Sequence, residues 1–319
     1  MEINICTYFD QNYLTKFLAC KSSIKNYEKN VKFFCLCLDN FSLDYLSNKN
    51  YSDLIIISIK EIENYFPELK IAKQNRELIE FYFTLSPFLP LYILEKFQVN
   101  IINYVDSDIF FFDTPKKLIR LLGNESIMIA EHGIKDNKFG KYNVGWLTFR
   151  NDNNALRCLK DWGKDCINWC HDYVDGDKYA DQKYLDKWPF NYNNVVTLPS
   201  KYSLGPWNLS TRDILIKKNK IKLINNELIF YHFHGLNIFK NFYSTGLSIY
   251  NKRLPKNIVK LLYGEYLNKL FKLNKIIKIS KKNIRNRNIK KNLKQSLIKL
   301  IKNLVRFIKI LIFFDIYKI

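Results

Sequence analysis

The sequence lacks the features that tie a chain to an oxidising compartment or place it inside a membrane. Its seven cysteines are an odd number, and Cys6, Cys35 and Cys37 lie in apolar runs that predict buried, unpaired thiols. We therefore do not expect a secreted disulfide framework. No uncharged apolar run approaches the roughly 20 residues that cross a bilayer, and the N-terminus is acidic where a signal peptide is basic. We expect a cytoplasmic protein without a membrane-spanning segment.

Acidic residues are scarce, and their scarcity is local. The 319 residues contain 51 Lys and Arg against 30 Asp and Glu, a net charge of +21. A uniform excess of this size would favour a polyanion-binding protein. However, residues 272–319 contain 15 basic side chains and one acid, so this tail alone carries +14. The 319 residues as a whole are 47% hydrophobic, which is the composition of a folded protein.

Short apolar segments alternate with helical patterns along the first 240 residues. Segments 3–8, 33–38 and 54–59 predict buried strands, and segment 99–105 predicts a strand that is covered on both faces. A helical pattern over residues 77–97 is interrupted by Pro87 and Pro90, which should bend or break it. This alternation predicts a mixed, mostly parallel α/β sheet flanked by helices.

The composition changes near residue 271 to Lys, Asn and Ile. We predict one domain over residues 1–270 and a separate tail over residues 271–319. In the tail, Leu and Ile recur every three or four residues over 297–312 while Lys, Asn and Arg occupy the other positions, which predicts a basic amphipathic helix.

Two carboxylates follow directly on the strand predicted at residues 99–105. Asp106 and Asp108 are two positions apart, so in extended backbone they project to the same side and can bind one hard cation. Ligands of open α/β sheets bind beyond the carboxyl ends of the strands. The alternative is structural, because acids also end strands and cap helices. Other polar groups follow in order: Asn143-Val144-Gly145, Asp181-Gln182, Trp207-Asn208 and His232-Phe233-His234-Gly235.

These motifs, over about residues 1–240, resemble the family-8 glycosyltransferases, a retaining group with the GT-A (Rossmann-like) fold. The resemblance implies that Asp106, Asp108 and His232 bind a metal ion, with His234 as the alternative histidine, and that Asp181 and Gln182 lie at the reacting carbon. For Asp181 the alternative is a helix cap. The residues that the resemblance assigns to donor binding are Thr7, Asp10, Tyr13, Ser107, Asn143, Gly145, Asn208, Gly235 and Lys240. Lys240 is the candidate for a phosphate-binding lysine, since the Lys-Pro-Trp usual after the glycine is replaced by Leu-Asn-Ile-Phe-Lys.

The resemblance also implies a function. We expect a hexosyltransferase that uses Mn²⁺, or Mg²⁺, and moves a hexose from a nucleotide-diphosphate sugar, with UDP as the expected nucleotide, to a bacterial surface glycan or lipid-linked acceptor. The basic amphipathic tail favours attachment to an anionic bilayer, at the inner face of the cytoplasmic membrane. The alternatives are a catalytically inactive relative that only binds, and a nucleic-acid-binding protein. The last is disfavoured because the basic residues are mostly Lys and no zinc-finger or RNP-like spacing occurs.

Overall fold

The computed structural model describes residues 2–134, 137–218, 220–224, 227–239, 241–277 and 293–318. Its strands are β1 (Ile3–Phe9), β2 (Val31–Cys37), β3 (Leu54–Ser58), β4 (Ile101–Val105), β5 (Ile109–Phe111), β6 (Ile127–Glu131), β7 (Tyr142–Arg150), β8 (Val195–Leu198), β9 (Ile214–Lys217), β10 (Lys220–Leu223), β11 (Phe230–His232), β12 (Asn237–Ile238), β13 (Phe242–Ser244) and β14 (Tyr317–Lys318). Its helices are α1 (Leu14–Lys25), α2 (Asn40–Ser47), α3 (Ile59–Tyr65), α4 (Leu69–Asn75), α5 (Leu78–Thr84), α6 (Phe88–Phe97), α7 (Lys116–Ile119), α8 (Asn153–Asn168), α9 (Trp188–Asn191), α10 (Lys256–Ile277) and α11 (Leu293–Ile312).

Seven strands form the central sheet in the order β3-β2-β1-β4-β7-β6-β8. The pairings of β1 with β2, β2 with β3, β1 with β4 and β6 with β8 are parallel. Only β7 runs antiparallel to its neighbours in this sheet, β4 and β6. The predicted mixed, mostly parallel α/β sheet is confirmed. Because β1 and β4 are parallel neighbours and β7 is antiparallel to β4, the ends of β1 and β4 and the start of β7 meet at one edge.

Both faces of this sheet are buried, as the near-continuous apolar strands predict. Successive side chains of β2 point to opposite faces. Phe33 and Cys35 pack with α1 and α2, while Phe34 and Leu36 pack with α5, α6 and α8. All seven cysteines are buried and unpaired, which confirms the prediction of free thiols.

The helical pattern over residues 77–97 forms two helices, as its prolines predict. Pro87 directly precedes α6, and Pro90 lies in the first turn of α6, where a backbone N–H has no intrahelical acceptor to lose. None of the described helices alone has the length and hydropathy needed to cross a bilayer; α5 and α6 meet that criterion only as a pair, bent by 41°.

The last part of the described chain packs on the same molecule. The predicted division between residues 270 and 271 falls inside α10, whose Val259, Leu262, Tyr263 and Tyr266 are buried in one cluster with Phe233. The helix predicted over residues 297–312 lies within α11. After α11, β14 pairs with β13, and β13 pairs with β12.

Candidate functional site

The polar edge of the sheet brings together residues that are far apart in the sequence. Strand β4 ends at Val105, so Asp106 begins the turn that leads into β5, and its backbone N–H donates to the Gly145 carbonyl of β7 at 3.1 Å. Strand β5 then pairs antiparallel with β11, which sets His232 opposite Ile109. The next residue, Phe233, donates its backbone N–H to the Asp108 carbonyl at 2.9 Å. This pairing carries His232 to the two carboxylates.

Asp106, Asp108 and His232 form one cluster, as predicted. Their ligand atoms lie within 4.8 Å of one another. The His232 Nε2 atom is 2.9 Å from Asp108 Oδ1 and 3.7 Å from Asp106 Oδ2. Asp108 and His232 are buried, whereas the Asp106 side chain is 32% exposed and forms the open side of the cluster.

The charges of this cluster are unevenly stabilised. Burial opposes the charge of Asp108, but His232 and the Lys16 ammonium, 3.7 Å from Asp108 Oδ2, hold the pKa of that carboxyl well below its usual range. Burial raises the pKa of Asp106, and His232 only partly offsets it. Burial opposes the charged form of His232, yet the nearby Asp108 carboxylate outweighs burial and raises the pKa of the imidazole.

These residues fit a divalent cation. Ligands about 2.1 Å from one octahedral ion lie about 3 Å apart when they are adjacent, which is the scale of the observed separations. Two carboxylates and one imidazole form a donor set that suits Mn²⁺, and Mg²⁺ next. His232 Nε2 faces the carboxylates, while His232 Nδ1 is buried without a hydrogen-bond partner among the described residues. Asp106, Asp108 and His232 are therefore the side chains that would hold the ion.

Gly145 is required at its position beside the cluster. A Cβ atom added there would lie 2.6 Å from Asn143 Oδ1 and 2.8 Å from His232 Nδ1. Asn143 is buried and its side-chain oxygen accepts the Gly145 N–H at 2.6 Å. The Asn-x-Gly segment thus lies directly against His232, and a side chain at position 145 would collide with the Nδ1 atom of this histidine.

A chain of hydroxyl groups links the cluster to Asp181, one of the two predicted catalytic residues. Tyr104 donates its hydroxyl to Asp106 Oδ1 at 2.9 Å. The Tyr8 side chain is the next group, and its proximity adds to burial in raising the pKa of Tyr104. The Tyr8 hydroxyl also lies 3.1 Å from Ser86 Oγ, and Ser86 donates its hydroxyl to Asp181 Oδ2. Burial, with the charge of Asp106 adding to it, raises the pKa of Asp181 to about 7.

The residues in this chain differ in how far the sequence reveals them. Tyr104 is two positions before Asp106 and could have been found by the same spacing argument that pairs Asp106 with Asp108. Ser86 and Tyr8 carry no such signal, because only the folded chain brings them to Asp181.

Gln182, the other predicted catalytic residue, is fixed by its amide nitrogen, which donates to the Phe139 carbonyl at 2.8 Å. This bond leaves the amide oxygen as the end that can face a substrate. The backbone around it is also held, since Trp162 donates its indole N–H to the Asp181 carbonyl at 2.9 Å.

The predicted donor-binding residues of the first strand and turn are close to the same edge. Thr7 and Ser107 are buried, with their hydroxyl oxygens 2.9 Å apart. Asp10 is buried and accepts the backbone N–H groups of Asn12 and Tyr13, so its carboxylate organises the turn before α1. Tyr13 is 43% exposed, and the Lys16 ammonium lies 3.7 Å from the centroid of its ring. Lys16, which no motif in the sequence indicates, therefore contacts both Tyr13 and the metal cluster.

The last three predicted donor-binding residues are Asn208, Gly235 and Lys240. Asn208 donates its amide to the carbonyls of Ser200 and Ser203 in its own loop and of His132 just after β6, so its amide nitrogen is used in holding the loop. Gly235 has φ +77, in the left-handed region that favours glycine. Lys240, the candidate phosphate-binding lysine, lies outside the described residues.

No protein-family model matches the chain. Two proteins of Bacillus subtilis (strain 168) are similar in sequence, and both are named as uncharacterized. YfnD is 24% identical over 273 residues, which cover 82% of this chain and 86% of YfnD. YfnF is 26% identical over 250 residues, which cover 73% of this chain and 81% of YfnF.

The chain also resembles solved structures. The galactosyltransferase LgtC, solved in complex with donor and acceptor sugar analogs, is 16% identical with a TM-score of 0.41, over 64% of this chain and 76% of that one. Mouse xyloside xylosyltransferase 1 is 14% identical with a TM-score of 0.49, over 74% of this chain and 98% of that one. GlyE of Streptococcus pneumoniae TIGR4 is 16% identical with a TM-score of 0.46, over 64% of this chain and 46% of that one. All three are glycosyltransferases, the class that the sequence motifs resemble.

Proposed function

We propose that the chain is a metal-dependent glycosyltransferase that moves a hexose from a nucleotide-diphosphate sugar, UDP-linked, to a bacterial surface glycan or lipid-linked acceptor. The observation that carries this proposal is the convergence of Asp106, Asp108 and His232 at the carboxyl edge of the sheet, with ligand atoms within 4.8 Å of one another. An oxygen-rich site of this kind suits a cation that binds a diphosphate.

The chemistry assigned to the site follows from charge. When bound, the divalent cation acts as a Lewis acid that stabilises the departing nucleoside diphosphate. Asp106, Asp108 and His232 hold it, and Gly145 keeps the space beside His232 clear. The amide oxygen of Gln182 is the dipole that we assign to the positive charge developing at the sugar carbon. Retention of configuration is part of the proposal because the family that the motifs resemble is retaining.

A membrane-bound acceptor is supported by the outer face of α11. Leu304, Phe307, Leu311 and Ile312 are each about half exposed or more, with Ile312 at 63%. Together they form a row of apolar side chains that is exposed to water unless another surface, such as a membrane, covers it. We include in the proposal that this face attaches the enzyme to the inner leaflet of the cytoplasmic membrane.

The metal cluster is tested with Asp108→Asn, which removes a ligand and keeps the size of the side chain. In a thermal-shift screen, Mn²⁺ together with UDP-sugars should raise the melting temperature of the unchanged protein, since binding stabilises the folded state. Replacing a residue that only hydrogen-bonds to a metal ligand lowers metal affinity by roughly 10- to 100-fold. Loss of a direct ligand should lower it further, so we expect metal-dependent turnover to fall by at least about 100-fold.

The matched control is Asp177→Asn, which removes an exposed carboxylate that pairs with Lys187 away from the cluster. It should leave turnover unchanged. Full metal-dependent turnover by Asp108→Asn would contradict the proposal.

The rival functions predict different outcomes. An inactive relative would bind a UDP-sugar with Mn²⁺ without transferring or hydrolysing it. A nucleic-acid-binding protein would instead shift DNA or RNA in a gel with a strong salt dependence and show no metal requirement. The anomeric configuration of the product, measured by NMR, tests retention separately.

A further inference from the structure

Arg306 of α11 lies next to the loop that follows the metal ligand His232. Its Nη2 atom donates to the Gly235 carbonyl at 3.1 Å. The guanidinium is also close enough to the His234 imidazole and the Tyr250 hydroxyl for its charge to act on both. The rings of His232 and His234 are 5.8 Å apart, so the histidine on which this charge acts packs against the metal ligand His232.

Helix α11 is fixed with this face turned inward. Lys302 and Lys309 lie one turn before and one turn after Arg306, and they donate to the carbonyls of Asp172 at 3.0 Å and Ile249 at 3.2 Å. Just past the helix, Asp315 is buried and accepts hydrogen bonds from the backbone and hydroxyl groups of Thr245 and Ser248. The position of Arg306 is therefore set by contacts on both sides of it.

Arg306 differs from the other cationic side chains near the cluster in having no carboxylate partner among the described residues. Lys16 is paired with Asp108, and the His232 imidazole faces both carboxylates. Within the part of the chain that the structure describes, the hydrogen-bond acceptor of Arg306 is a neutral carbonyl, and no carboxylate pairs with it. A cation that remains uncompensated beside a metal site is suited to bind an anion.

The proposed donor supplies such an anion. Asp106 and Asp108 offset the charge of a divalent ion, so the negative charge of a bound diphosphate needs further positive groups. A guanidinium has five N–H donors in a planar arrangement that matches phosphate oxygens, and one bond to Gly235 leaves the others free to donate. The charge on the diphosphate increases as the sugar leaves, so this contact strengthens in the transition state.

We infer that Arg306, carried by the C-terminal helix, binds the diphosphate of the donor beside the metal ion. This inference rests on the proposed function. It makes α11 a part of the donor site, so that a residue in the basic tail completes a site whose other predicted residues lie between positions 7 and 240.

The test compares Arg306→Ala and Arg306→Lys with a matched control, Lys302→Ala, in the full-length chain. Lys302→Ala also removes one positive charge and one bond to a backbone carbonyl, four residues earlier on the same helix, together with an ion pair to the Asp172 carboxylate at 3.7 Å. Isothermal titration is performed with three probes: MnCl₂ alone, uridine, and UDP in the presence of MnCl₂. Thermal unfolding of each variant establishes that it is folded.

Loss of Arg306 should leave Mn²⁺ and uridine binding unchanged and weaken UDP binding about 10- to 100-fold, the effect of losing charge-assisted hydrogen bonds. Arg306→Lys should recover part of the affinity, because an ammonium keeps the charge but not the planar geometry. Lys302→Ala should bind UDP like the unchanged protein.

The outcomes separate this inference from the proposed function. If the unchanged protein binds no UDP with Mn²⁺, the proposed function fails and this inference fails with it. If the unchanged protein binds UDP and Arg306→Ala binds it equally well, the inference alone is wrong. Equal weakening by Arg306→Ala and Lys302→Ala would show that only the position of the helix matters, which also overturns it.

Discussion

Asp181 shows how the environment of one residue changes its chemistry. The carboxyl group is buried, has the Ser86 hydroxyl as its hydrogen-bond donor and lies within the field of Asp106. Burial disfavours the charged form, and the negative charge of Asp106 adds to the effect, so the pKa rises from its ordinary value of 3.8 to about 7. Near neutral pH this group is divided between its two protonation states.

We expect this shift to make stability depend on pH. Between about pH 4 and pH 7 the folded protein keeps the proton on Asp181 while the unfolded chain has lost it, so the folded state binds more protons and its stability falls as pH rises. The contribution of Asp181 changes by up to about 1.4 kcal/mol per pH unit in this window and is constant above it. Asp181→Asn removes the group, so the difference in unfolding free energy between the two proteins, measured in urea at pH 5, 6, 7 and 8, should change up to pH 7 and then level off.

Asp177→Asn is the control, since that exposed carboxylate has a lowered pKa and is ionised in both states throughout the range. Its difference from the unchanged protein should be the same at every pH. A constant difference for Asp181→Asn as well would show that the burial of this carboxyl does not control its protonation.

At the scale of elements, the site depends on how closely β7 approaches the end of β11. Gly145 allows the approach, because a Cβ atom there would come within 2.8 Å of His232 Nδ1. We expect Gly145→Ala to push His232 away from the two carboxylates and lower the affinity for Mn²⁺ by about 10-fold or more, the scale of losing an orienting contact. Overpacking should also cost about 1–3 kcal/mol of stability. Titration calorimetry and urea unfolding measure the two effects.

Gly264 provides a control of the opposite sign. It lies inside α10, and a Cβ atom built there meets no described atom within 4 Å. Gly264→Ala should leave Mn²⁺ affinity unchanged and stabilise the protein by about 0.5–1 kcal/mol, because alanine loses less backbone entropy in a helix. Unchanged Mn²⁺ binding by Gly145→Ala would contradict the role given to this glycine.

The elements that were predictable from the sequence are those whose apolar pattern is compatible with only one type of secondary structure. Strands such as β2 and β4 are buried on both faces, and Pro87 marks the break between α5 and α6. The pair Asp106 and Asp108 was predictable because spacing in extended backbone places both side chains on one side. Lys16 was not, since its contact with Asp108 depends on how α1 packs over β5, which no local pattern encodes.

For the whole molecule, the sequence predicts that the tail helix has two faces but not which of them contacts the domain. Periodicity separates apolar from basic side chains, and the usual expectation is that apolar side chains turn inward. In the structure, Lys302, Arg306 and Lys309 contact the domain, while Leu304, Phe307 and Leu311 are exposed. The hydrogen-bond acceptors of these three side chains are backbone carbonyls, with the Asp172 carboxylate 3.7 Å from Lys302 in addition, and the position of such carbonyls cannot be inferred from the sequence.

This orientation leads to a prediction for membrane attachment. Burying an apolar side chain of this size contributes about 1.5–3 kcal/mol, so the double variant Phe307→Ser, Leu311→Ser should lose at least about 100-fold in affinity for vesicles. The measurement is co-sedimentation with vesicles of phosphatidylglycerol and phosphatidylethanolamine, compared with neutral phosphatidylcholine vesicles, which should bind the unchanged protein more weakly because the chain is basic. Phe190→Ser is the control, because Phe190 is 88% exposed but lies on α9, away from α11. If the protein attaches through α11, the double variant alone should stay in the supernatant. If any exposed apolar side chain contributes equally, Phe190→Ser should bind more weakly as well. If the double variant sediments like the unchanged protein, α11 is not the attachment surface.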